Sequence, residues 1–187
     1  EGDPETGETK LDLAKRAAVE ALDEFKDDDE VGLRTFTTDI DTGQTIISDL
    51  VAAARVGDVR ENLANRIREL VPLNGTPLYE VTRSTYDQLA ADYDPSRINA
   101  MVLLTDGQND DGDTTDDARQ LEDAIARLSE SAEGATSRPI RVFTIAYGGD
   151  ADLATLQRIA EASNGASYDA SDPRSISKVF TAVVSNF

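Results

Sequence analysis

Apolar positions along this chain fall into two alternating periods. Residues 9–26 carry Leu11, Ala14, Ala18, Leu22 and Phe25 at steps of three and four, which predicts a helix with one stripe toward a core. The acidic run Asp27-Asp28-Asp29-Glu30 reads as a solvated turn. Residues 31–36 are rich in β-formers and predict a strand, with Thr37, Thr38 and Asp39 at its carboxyl end. Asp41-Thr42-Gly43 is turn chemistry, and residues 44–47 predict a returning strand, antiparallel and at an edge. Residues 50–59 fit neither period. Residues 60–70 predict a short helix with Leu63, Ile67 and Leu70 on one side, stopped by Pro72. Thr76-Pro77 predicts the next helix start, with Thr76 as N-cap and Pro77 as first helical residue. That helix is expected to run to about Tyr93, with Leu78, Val81, Thr85 and Leu89 facing inward.

The most informative stretch follows. Residues 98–104 are an almost unbroken apolar run, which fits a strand buried on both faces beneath helices. The run stops at Thr105-Asp106-Gly107, so a carboxylate stands at a strand tip with a glycine after it. In open α/β sheets ligands bind at that edge; the alternative is that Asp106 only forms a turn. Residues 108–115 fail as a calcium loop: with Gly112 at the required glycine, Gly107 and Ala118 occupy the first and last ligand positions. Asp113 or Thr114 is instead expected to cap a helix reaching about residue 131, with Leu121, Ala124, Ile125 and Leu128 inward. Residues 140–146 predict a second buried strand, ending in Tyr147-Gly148-Gly149. Residues 151–163 predict a helix with Leu153, Leu156 and Ile159 apolar, stopped by Asn164-Gly165. Residues 167–168 allow a short strand at most, and residues 173–187 predict a closing helix with Ile176, Val179, Phe180 and Val183. Strands alternating with amphipathic helices predict a layered α/β sheet, mostly parallel, with helices on both faces. No repeat or linker divides the chain, so residues 1–187 are expected to form one domain.

Composition narrows the chemistry. The 187 residues contain no cysteine and no histidine. Disulfides, Ser-His-Asp catalysis and ordinary zinc sites are thereby excluded. Oxygen ligands remain, and they suit Mg²⁺, Ca²⁺ or Mn²⁺. The net charge of −19 argues against nucleic acid as a partner. No apolar run approaches the ~18 residues of a membrane span. The polar opening, residues 1–8, reads as a loop.

Several of these segments together resemble one family. They are T-K-L-D-L-A-K-R-A at residues 9–17, N-G-T-P-L-Y at 74–79, V-L-L-T-D-G at 102–107 and R-V-F-T-I-A-Y-G at 141–148. The chain resembles the von Willebrand factor type A (vWA) domain over nearly its whole length. Its close, N-G-A-S-Y-D-A-S-D-P-R at 164–174 and V-F-T-A-V-V-S-N-F at 179–187, resembles bacterial surface lipoproteins that join a solute-binding domain to a type A domain.

The resemblance implies a Rossmann-like fold and a metal-ion-dependent adhesion site (MIDAS) built from three loops. The family places Asp-x-Ser-x-Ser after the first strand, then a threonine, then an aspartate. The threonine corresponds to Thr76 and the aspartate to Asp106, with Asp39, Gly75, Gly107 and Gln108 on the rim. The first motif is not present. The family's first strand, the centre of its sheet, is therefore expected just upstream of Glu1, leaving a domain truncated at its N-terminus. With two ligands alone, Mg²⁺ (or Mn²⁺ or Ca²⁺) is expected to bind weakly or not at all.

The implied function is that of a non-enzymatic module binding a protein ligand through the cation. An upstream solute-binding-type domain and a cell-surface or extracellular location, anchored through that upstream region, go with it. The alternatives are a structural or assembly domain with no working site and, less favoured, a Mg²⁺-dependent hydrolase. Against the last, the chain has no glycine-rich Lys-Ser/Thr phosphate loop.

Overall fold

The computed structural model describes residues 7–39, 41–132 and 139–185. The first six residues of the polar opening and the last two of the closing helix lie outside the described residues. In order, the elements are α1 (Lys10–Ala21), β1 (Glu30–Thr38), β2 (Thr45–Arg55), α2 (Val56–Arg68), α3 (Leu78–Ala91), β3 (Asn99–Thr105), α4 (Asp117–Ala132), β4 (Ile140–Tyr147), α5 (Leu153–Ala162), β5 (Ser167–Ala170) and α6 (Ile176–Val184).

The strands form two pieces. β1 and β2 are an antiparallel pair, and β3, β4 and β5 are a parallel sheet in that order. No ladder joins β1 to β3 among the described residues. The β1–β2 register slips between Val31 and Leu33 and again between Leu33 and Arg34. At each slip the extra residue lies in β2, so its 11 residues run beside the 9 of β1.

Helices cover both faces. Leu78, Val81 and Tyr86 of α3 pack with Leu121 and Leu128 of α4, Leu156 and Ile159 of α5, and Met101, Leu103 and Val142 of the sheet. On the other face, Leu13, Ala14 and Ala17 of α1 and Ile176 and Val183 of α6 meet Phe143, Ile145 and Tyr147. Leu63, Ala64 and Ile67 of α2 pack with Leu22 and Val51 in a third cluster.

Several expectations shift. β3 was expected to be buried on both faces, but Val102 is 37% exposed. Among the described residues, no strand pairs with β3 on the side away from β4. In α1 the buried stripe is Leu13, Ala14, Ala17 and Ala21, while Leu11 and Ala18 are half-buried. In α3 the stripe passes through Tyr86 and Ala90, leaving Thr85 and Leu89 half-buried. One cause is Arg34, whose guanidinium donates to Thr85 Oγ1 at 3.0 Å and so holds that hydroxyl toward a polar contact. Residues 50–59, which fitted neither period, hold the end of β2 and the start of α2.

Candidate functional site

Three loops are fastened together at the carboxyl ends of β1 and β3. The Asn74 carbonyl accepts from the Thr38 amide at 3.0 Å and from the Thr37 hydroxyl. The Thr38 hydroxyl donates to the Asp110 carbonyl at 2.9 Å. Thr76 and Asp110 form an isolated antiparallel bridge. Gly75 makes this fastening possible. Its φ is +73°, and a Cβ there would lie 2.4 Å from Thr38 Cβ, closer than any side chain tolerates. The β1–β2 turn joins the same rim, since a Cβ on Gly43 would come within 3.9 Å of the Asp111 carbonyl.

Thr76 and Asp106 are brought together by this fastening. A Cβ on Gly107 would stand 3.3 Å from Thr76 Oγ1, so the hydroxyl lies against the backbone that directly follows Asp106. Asp106 is exposed at the end of β3.

Thr76 does not cap α3, contrary to the expectation. The helix begins at Leu78 with Pro77 in the cap position and no side-chain cap of its own. Asn109 supplies the missing acceptor: its Oδ1 takes the Tyr79 amide at 3.3 Å, while its Nδ2 donates to Asp117 Oδ1 at 2.6 Å. One side chain thus ties together the starts of α3 and α4. Sequence reasoning missed Asn109, because a cap supplied by a residue 30 positions away leaves no local pattern. The α4 start also differs. Asp113 accepts from the Thr115 amide and hydroxyl at 2.9 and 2.6 Å, closing its own turn, and the helix starts at Asp117.

The remaining rim residues are turn-formers by contact. Asp39 Oδ1 accepts the Asp41 and Thr42 amides at 2.9 and 3.0 Å. Those bonds, that of Thr42 foremost, hold the Asp39 carboxyl below the usual carboxylate range. Gly107 donates its amide to Thr105 Oγ1 at 3.3 Å, and Gln108 is exposed.

The start of α1 reaches the same edge. Thr9 and Asp12 form a reciprocal capping box. The Tyr147 hydroxyl at the end of β4 donates to the Lys10 carbonyl. Burial first, then the negative charge of Asp106, pushes the Tyr147 phenol up to about 12, with Arg16 acting in the opposite direction.

The donor set fits a hard divalent cation in kind but not in number. Thr76 and Asp106 contribute one hydroxyl and one carboxylate, both oxygen. Among the described residues, no group of three or more aspartates or glutamates is placed to hold an ion.

Comparison with known proteins agrees with this architecture. The family model of the von Willebrand factor type A domain matches residues 5–182. No curated protein matches the chain. A von Willebrand factor type A structure from Catenulispora acidiphila superposes with a TM-score of 0.63 at 20% identity, over 93% of this chain and 37% of that one. An aerotolerance-related membrane protein from Bacteroides fragilis gives 0.64 at 16%, over 97% and 91%. The ArnB paralog VWA2 from Sulfolobus acidocaldarius gives 0.59 at 19%, over 98% and 42%. At such identities the likeness is one of fold, and this chain spans little more than a third of the Catenulispora protein. On the match across residues 5–182, the chain belongs to the von Willebrand factor type A domain family.

Proposed function

We propose that this domain binds a protein partner through a divalent cation, and that Thr76 and Asp106 supply two of the ion's oxygen ligands. The observation that carries this reading is the position of the Thr76 hydroxyl against the residue following Asp106. It is reinforced by the cap on α3: Asn109 performs the job that would otherwise occupy Thr76. An ion such as Mg²⁺, held largely by neutral oxygens, supplies an electron-poor coordination position that a carboxylate on a partner can fill.

The remaining ligands belong, in this proposal, to a strand lying between β1 and β3 and to the loop after it. The separate sheets, with no strand paired to β3 on the side away from β4 among the described residues, support it. So does the burial of β1, in which Thr37 alone of nine residues is buried. In the same reading the domain acts by binding rather than turnover. It sits at a cell surface, beside a solute-binding-type domain, as the likeness of its last segments to surface lipoproteins suggests.

The test is Mg²⁺ titration by calorimetry of residues 1–187 and of the same domain carrying the additional strand. The extended form should bind Mg²⁺, and lose it with Asp106→Asn or Thr76→Val. Sub-micromolar binding by residues 1–187 alone would sink the half-site reading. A second reading is an assembly domain with no working site, since Thr76 and Asp106 by themselves offer an ion one hydroxyl and one carboxylate. Partner binding indifferent to chelators would favour it.

A further inference from the structure

We propose that Ile46, Val71 and Leu73 form an apolar ledge beside Thr76, and that the ledge docks a protein surface on which aliphatic side chains are ringed by lysine or arginine. Six large hydrophobic residues are exposed among the described residues, and Val71 and Leu73 head them at 67% and 64%. Ile46, at 43%, belongs with them by register. It stands opposite Thr37 in the β1–β2 ladder, so the two side chains share a face. Thr37 bonds the Asn74 carbonyl, and Leu73 is the residue before Asn74. α2 packs on that same face through Leu63 and Ile67 and delivers the chain to Val71 from its end at Arg68. Single exposed aliphatics are ordinary, but three gathered on one rim mark a contact surface.

The loop is also anchored at one end. Its far end is fixed by Thr37, Thr38 and the close approach of Gly75, which sets where Leu73 leaves the rim. Charge identifies the partner. Asp39, Asp41, Asp106, Asp110 and Asp111 lie on the neighbouring loops, and the net charge is −19. A basic surround on the partner complements that field. A membrane does not: interfacial segments use tryptophan and basic flanks, and acidic loops repel anionic headgroups.

The ledge needs no cation, so it stands or falls separately from the metal reading. A random dodecapeptide phage library is panned on the protein in EDTA. Enriched peptides are resynthesised and measured by fluorescence anisotropy. They should combine aliphatic residues with lysine or arginine, weaken with added salt, and bind the Val71→Ser/Leu73→Ser variant at least ~10-fold less tightly. Ile46→Thr, which keeps a β-branched residue in the strand, should weaken them in the same direction. Circular dichroism should match wild type for both variants, since the replaced side chains are exposed. Failure to enrich any sequence, or peptides that bind the double variant as well as wild type, overturns the proposal. So does binding to phosphatidylserine vesicles that the double variant loses.

Discussion

Thr76 and Asp110 exchange both of their backbone hydrogen bonds, each amide donating to the other's carbonyl at 2.8 Å. Two loops that are 34 positions apart in sequence are thus held by main-chain groups. The side chains take no part in this pairing, which separates two substitutions. Asp110→Pro removes one donor and should cost about 1–3 kcal/mol. Asp110→Ala keeps both bonds and should stay within about 0.5 kcal/mol of wild type. Urea denaturation of the two variants measures the contrast.

The cap on α3 gives a second contrast. Asn109→Ala removes the acceptor for Tyr79 and the donor to Asp117, and should lower stability by about 1 kcal/mol. Thr76→Ala removes a hydroxyl that caps nothing and should change stability by less than about 0.5 kcal/mol. Equal losses in thermal melts would return the capping role to Thr76.

Gly75→Ala combines a left-handed φ with a collision against Thr38. It should cost more than about 2 kcal/mol. Adding Thr38→Gly, which removes the crowded Cβ and Oγ1 together with the hydroxyl's bond to Asp110, should recover part of that loss and leave the backbone strain. The double-mutant cycle reads the two components apart.

Tyr147 sets an alkaline limit. Its phenol titrates at about 12 in the folded protein against an ordinary 10.0. Below pH 10 the phenol is neutral in both states and its contribution is intact. Between pH 10 and about 12 only the unfolded form ionises, so stability falls with rising pH, by up to about 2–3 kcal/mol. Tyr147→Phe should flatten that part of the profile, followed as denaturation midpoints from pH 9 upward. A variant profile parallel to wild type would place the loss elsewhere.

Exchange of backbone hydrogens should locate the open flank. Amides of β3 that point away from β4, and those of β1 that point away from β2, should exchange quickly in residues 1–187. If the proposed additional strand pairs between them, they should become protected in a domain that carries it. Mass spectrometry of fragments spanning β1 and β3 resolves this, and equal protection in both forms would contradict an open slot.

Most elements were legible from periodicity, and the places where it failed have physical causes. β2 was lost beyond Ile47 because its two extra residues break the alternation of faces, and because Ala52-Ala53-Ala54 favours helix locally. The apolar run at β3 promised burial on both sides, but an apolar sequence does not report whether its neighbour is present. Thr76 and Asp106 were named through family likeness, and the Thr76 hydroxyl lies against Gly107, the residue after Asp106. Asn109 was not found, since its partners are Tyr79 on one side and Asp117 on the other.

The two irregularities in β2 bear on how copies of this protein avoid one another. They sit on the strand whose outer side is free, where an inserted residue spoils the repeat that a foreign chain needs for templated pairing. β1, facing inward, carries no such insertion. The molecule therefore discourages recruitment along β2.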